Sequence, residues 1–160
     1  TKINQELISE NISTKELSDA LYFSRVCSMI QGLELISKFS NDEKYNISIS
    51  EVLDNWSGGC IIRSNLLSEL KKEFGENNDV FNLNTVFSTL NKNRASISNV
   101  LQITTKYNIP TPVLSASLNW FNNVTSVDNP SNIIQAQRDF FGRHKVQLID
   151  SSNDINIDWD

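Results

Sequence analysis

The chain has 160 residues, 14 Lys+Arg against 19 Asp+Glu, and a net charge of −5. At 39% hydrophobic and 21% charged it is too apolar for a disordered tail and long enough to bury a core. The acidic balance argues against a nucleic-acid binder and against docking on anionic lipid, which both need a basic surface, and no apolar run approaches the roughly 18 residues of a membrane span.

The first residues, Thr1-Lys2-Ile3-Asn4-Gln5-Glu6, lack the apolar stretch of a signal peptide, and the chain does not begin with Met. A piece of a longer protein is therefore expected. Ser13-Thr14-Lys15-Glu16 is a capping box, and the segment behind it reads as a long helix to about Phe39. Its apolar residues, among them Leu17, Leu21, Val26, Ile30 and Leu33, cover more than one stripe, which predicts burial on several sides. Ser48-Ile49-Ser50-Glu51 is a second capping box, opening a short helix that Gly58-Gly59 breaks. A further helix is predicted from about Cys60, with Ile62, Leu66, Leu70 and Phe74 at helical spacing and Gly75 as its stop.

After the polar stretch Glu76-Asn77-Asn78-Asp79, helical spacing returns from Asn82 to Tyr107, with Asn91-Lys92-Asn93 as a candidate interruption. Ile109-Pro110-Thr111-Pro112 leaves the helical basin, and a helix follows from Val113 to about Phe121. Asp128-Asn129-Pro130 is a capping set for a helix over Ser131–Phe141 that ends at Gly142. Beyond it, Val146 and Leu148, then Ile155, Ile157 and Trp159, alternate with polar residues around a turn at Asp150–Asp154. The fold class is all-α, some seven helices with an extended C-terminal tail. Such a tail cannot bury itself and needs a groove, on its own domain or on a partner.

Cys27 and Cys60 cannot build a disulfide framework, which fits a cytoplasmic protein, and both read as small hydrophobes in apolar segments. One His and no Cys-x-x-Cys spacing argue against a metal site. Asn is heavily used, at 21 residues, and sequons such as those at Asn11, Asn46 and Asn123 read as products of that bias. A secreted helical protein would rest on those sequons alone.

One region concentrates groups suited to a charged ligand. Gln135, Gln137, Arg138, Arg143, His144 and Lys145 bring three cations and the sole His together in an otherwise acidic chain. Arg138 lies in the last turn of its helix, and Gly142 lets the backbone fold back, so that Arg138 and His144 can converge on one anion. Cations in a last helical turn also stabilise the macrodipole with no ligand involved. Gly58-Gly59, ahead of a helix, suits either an anion or close helix packing, of which packing is favoured. Arg63, inside an apolar stretch, implies a carboxylate or carbonyl partner. No complete catalytic constellation stands out.

The same clusters carry a family resemblance. Asn55-Trp56-Ser57-Gly58-Gly59-Cys60-Ile61-Ile62-Arg63-Ser64 resembles the W-x-G-G-C-I-I-R-S signature of 6-phosphogluconate dehydrogenases. Ile109-Pro110-Thr111-Pro112 is similar to that family's I-P-x-P segment, and Asn132–His144 to its N-L-I-Q-A-Q-R-D-Y-F-G-A-H motif. The family decarboxylates 6-phosphogluconate oxidatively to ribulose 5-phosphate with NADP, in the pentose phosphate pathway: hydride leaves C3, and the 3-keto acid loses carbon dioxide. The resemblance implies a homodimer whose dinucleotide-binding domain, lysine base and glutamate acid precede this segment, so no catalytic residue lies here and the isolated segment is inactive.

It also implies that residues 1–142 are part of the helical C-terminal domain and 143–160 a tail reaching a partner subunit. Arg138 matches the family's phosphate-binding Arg, and His144 a His that contacts the same substrate across the dimer. NADP is held mainly by the preceding domain, so the cofactor-binding residues remain unassigned. The chain departs from the family pattern at Asn122-Asn123-Val124-Thr125 (usually D-G-Y-R), at Arg143 (usually Ala), at Lys145-Val146 (usually T-Y), and in its Ile-Asn-Ile-Asp-Trp ending (usually F-H-T-N-W). Those departures also allow a non-catalytic helical dimerisation module of a divergent paralogue, or a relative acting on another sugar acid.

Overall fold

Helix α1 (Thr14–Glu43) starts at its capping box: the Ser13 hydroxyl accepts the Glu16 N–H at 3.2 Å, and the Ser13 N–H donates to the Glu16 carboxylate at 2.9 Å. The Ser13 hydroxyl, the Ser13 N–H and the Asn99 amide hold the Glu16 carboxyl below the usual carboxylate range. This computed structural model describes residues 11–74, 79, 83–148, 151 and 153–159. The Gly75 stop, the polar positions 76–78 and the first residues of the chain lie outside them. The chain forms two compact units, Thr1–Phe121 and Asn122–Asp160.

In the first unit, α2 (Ile49–Ser57) opens with the Ser48 hydroxyl accepting the Glu51 N–H at 3.4 Å. The next helix, α3 (Asn65–Phe74), begins later than the spacing from Cys60 predicts. Turns take up 60–64 instead, closed by Arg63 N–H to the Cys60 carbonyl at 3.0 Å and Leu67 N–H to the Ser64 carbonyl at 3.1 Å. The Arg25 guanidinium donates to the Ile62 carbonyl at 3.2 Å and ties the turn to α1.

Helix α4 (Asn84–Lys106) runs unbroken through Asn91-Lys92-Asn93. A single Asn costs a helix interior only about 0.7 kcal/mol, and Leu90 and Ile97, fully buried on either side, outweigh that. Six helices therefore occur among the described residues, one fewer than expected. The α1 and α4 faces are pinned by Asn99 donating to Glu16 at 2.7 Å and Ser96 to Asp19 at 3.1 Å. The I-P-x-P turn is made by Asn108 at φ 56°, with Pro112 as the first residue of α5 (Pro112–Thr125).

The core gathers Phe23, Val26, Cys27, Ile30 and Leu33 of α1 with Ile49, Leu53, Leu67, Leu70, Leu90 and Ile97, all with no exposed surface. Phe23 meets Phe121 edge-to-face, their rings 5.2 Å apart. The predicted burial of α1 on several sides is observed in part. Ala20, Phe23, Ser24, Val26, Cys27, Met29, Ile30 and Leu33 are buried and span more than one face of the helix, whereas Leu21, Leu35 and Phe39 stay exposed.

The two cysteines differ, which corrects the expectation that both are core residues. Cys27 is buried, whereas Cys60 sits on the exposed turn. Burial pushes the Cys27 thiol up to about 12. Titration of this polypeptide with an aromatic disulfide at neutral pH is expected to modify one thiol in the native state and the second only after unfolding. Two fast-reacting native thiols would contradict the burial of Cys27.

In the second unit, the Asn129 side chain accepts the Ser131 N–H at 2.9 Å ahead of α6 (Asn132–Gly142). The tail then folds on itself, with β1 (Val146–Gln147) antiparallel to β2 (Asp154–Ile155) and Val146 opposite Ile155. Among the described residues, no helix is long and apolar enough to cross a membrane.

Candidate functional site

The C-terminal half of α6 and the turn after it build an open pocket of about 340 Å³, lined by Gln137, Arg138, Phe141, Gly142 and His144. The two sequence-predicted residues thus share one pocket. The Arg138 guanidinium donates to the Gln135 side chain at 3.2 Å, and the Gln135 amide donates to the Lys145 carbonyl at 2.6 Å. Glutamine at the helical spacing i, i+3 therefore orients the arginine while bracing the turn that carries the histidine.

Gly142 works differently from the sequence reading. The left-handed conformations that reverse the chain belong to Arg143 (φ 54°) and Lys145 (φ 64°), on either side of His144. Gly142 is needed for space: a Cβ there would lie 2.7 Å from the His144 ring atoms Cδ2 and Nε2. The imidazole rests on the bare Cα, which directs it into the pocket beside Arg138.

Asp139, which the sequence reading did not single out, holds this turn. It is the one fully buried charged residue among those described. One carboxylate oxygen accepts the Lys145 N–H at 2.7 Å, and the other accepts the Ile157 N–H at 2.8 Å and the Trp159 indole N–H at 3.1 Å. The Asn156 amide, with its nitrogen turned inward, donates to the same carboxylate at 2.8 Å and to the Arg143 carbonyl at 3.0 Å. Burial alone would raise the Asp139 carboxyl; the bonds from Ile157, Trp159 and Lys145, with the Arg143 charge, outweigh it and hold the group below the usual range. A signal was present in the sequence: an acid in a last helical turn opposes the macrodipole, so it needs donors of its own.

The other predicted cluster is looser. A Cβ on Gly59 would meet nothing within 4 Å, and one on Gly58 only backbone of its own helix, so no close helix packing involves this pair among the described residues. Arg63 is exposed, not buried in an apolar stretch, and Ile61 is 99% exposed. Among the described residues, no group of His, Cys, Asp and Glu could hold a metal ion.

The arrangement is thus a helical core and, described by itself, a small unit in which a C-terminal tail is latched beside an arginine and a histidine that face one open pocket. The family model for the 6-phosphogluconate dehydrogenase C-terminal domain matches residues 2–159. The chain belongs to that family. It is 34% identical over 148 residues to the decarboxylating 6-phosphogluconate dehydrogenase of Buchnera aphidicola subsp. Baizongia pistaciae, covering 91% of this chain and 32% of the relative. Its identity to the rice chloroplastic enzyme is 35% over 157 residues, covering 93% and 31%. Plasmodium falciparum 6-phosphogluconate dehydrogenase, solved in apo form, with its cofactor NADP+ and with its substrate 6-phosphogluconate, superimposes with a TM-score of 0.86 at 32% identity, covering 99% of this chain and 35% of that one. The chain spans about a third of the length of the curated relatives it matches.

Proposed function

We propose that this chain is the substrate-binding and dimerisation part of a cytoplasmic, NADP-linked 6-phosphogluconate dehydrogenase of the pentose phosphate pathway. The observation that carries the reading is the placement of Arg138 and His144 in one open pocket within a family-wide match. Arg138 holds the phosphate, as its planar fork suits, and His144 contacts the rest of the sugar acid in the partner subunit's site. Both supply orientation and charge, not proton transfer. The residues of this chain do not fit NADP, since the sequence has no glycine-rich phosphate loop and the described residues form no parallel sheet. The dinucleotide is assigned to the longer protein's preceding part.

Dimerisation is supported by the exposed apolar residues: Leu21, Leu35 and Phe39 on α1, and Ile133, Ile134 and Phe141 on α6. The tail, 143–160, is read as reaching the partner while its backbone is latched to its own α6. The deciding experiment is turnover by the purified full-length protein. NADP reduction with release of carbon dioxide from 6-phosphogluconate is expected, with none from the 160-residue segment alone. A stable full-length dimer that turns over neither this substrate nor other sugar acids would favour the non-catalytic module.

A further inference from the structure

We propose that Asp139 is the positioning residue of the Arg138–His144 pocket, a latch through which the last residues of the tail set where the histidine points. The inference rests on the site reading above and extends it to a residue that does not face the pocket.

His144 stands between two non-glycine residues in left-handed backbone conformations, Arg143 and Lys145. The left-handed region is disfavoured for any residue with a Cβ, so the turn persists only if its surroundings hold it. The Asp139 carboxylate supplies that hold by accepting the Lys145 N–H, one peptide bond from His144, at 2.7 Å. The same carboxylate accepts from Ile157 and Trp159, and the Trp159 ring stands edge-on to Phe140 at 5.5 Å. Every partner is a donor, which requires an acceptor on both oxygens; an asparagine would turn an NH₂ toward one set of donors. The turn and the tail therefore share one buried anion, and releasing either side loosens the other. Asp139 touches no pocket surface and acts only through the placement of His144.

The test uses the full-length protein and a double-mutant cycle. Asp139→Asn is expected to raise KM for 6-phosphogluconate about tenfold with kcat and the KM for NADP little changed, and to add nothing in a His144→Ala background. Amide hydrogen exchange at Lys145 and at Ile157 should accelerate together in the same variant. An equal KM effect with and without His144, or no effect at all, would overturn the proposal. If Asp139→Asn fails to fold, Trp159→Phe removes one donor and keeps an aromatic ring. It is expected to raise KM about threefold, only where His144 is present, and no rise would again overturn the latch. The site reading is judged separately. If Arg138→Ala and His144→Ala both leave KM unchanged, that reading fails, and concerted or independent exchange at Lys145 and Ile157 then supports or overturns the latch by itself.

Discussion

Replacing Arg138 by alanine in the full-length protein is expected to raise KM for 6-phosphogluconate by about 100-fold, equivalent to about 2.7 kcal/mol of lost binding. The guanidinium is exposed at the pocket, and among the described residues it donates to the neutral Gln135 side chain and meets no carboxylate. On the proposed role its loss removes a charge-assisted, two-pronged contact to phosphate, and it leaves no buried group unsatisfied, so folding should be unaffected. Arg138→Lys should recover only part of the loss, because an ammonium keeps the charge without the planar fork. A phosphate contact remote from the reacting carbons would be made equally in the ground state and the transition state, so on this reading kcat should fall far less than kcat/KM. An unchanged KM for 6-phosphogluconate would remove Arg138 from the site.

The second large effect concerns stability. Phe23→Ala should cost about 3–5 kcal/mol in denaturant unfolding, near the upper end for a core truncation. Phe23 has no exposed surface and lies edge-on to Phe121, which also stacks on Phe87 with ring centroids 6.1 Å apart. Removing it empties the space where α1, α4 and the second half of α5 meet, and three helices cannot all close on the cavity. Leu35→Ala, on the exposed face of the same helix, should cost within about 0.5 kcal/mol in the monomeric state. Similar losses for both would mean that the exposed face of α1 is covered.

Much of the fold was legible from local chemistry. The Ser13 capping box, the proline at the head of α5 and the stop at Gly142 each concern a few neighbouring residues, and each falls within one or two positions of where it was read. The misreadings have one cause. Helical spacing from Cys60 and the polar run at Asn91 suggested a start and an interruption that packing overrode: the turn at 60–64 is closed by its own backbone bonds and by Arg25, and α4 continues because Leu90 and Ile97 are buried. Both depend on residues distant in sequence, which periodicity does not report.

The candidate site divides in the same way. A local cluster of three cations and the only histidine, in an otherwise acidic chain, singled out Arg138 and His144, and the motif around them named the family. Only the tertiary structure decided how they are presented. A buried carboxylate that local helix rules disfavour gathers donors from the turn and from the tail, up to 20 residues away. Gly142 serves by the Cβ it lacks rather than by its own backbone freedom. Residue types and short-range spacing determine which groups are available and where helices begin. The aim of a side chain depends on donors and empty space contributed from elsewhere in the chain, and these exist only once it has folded.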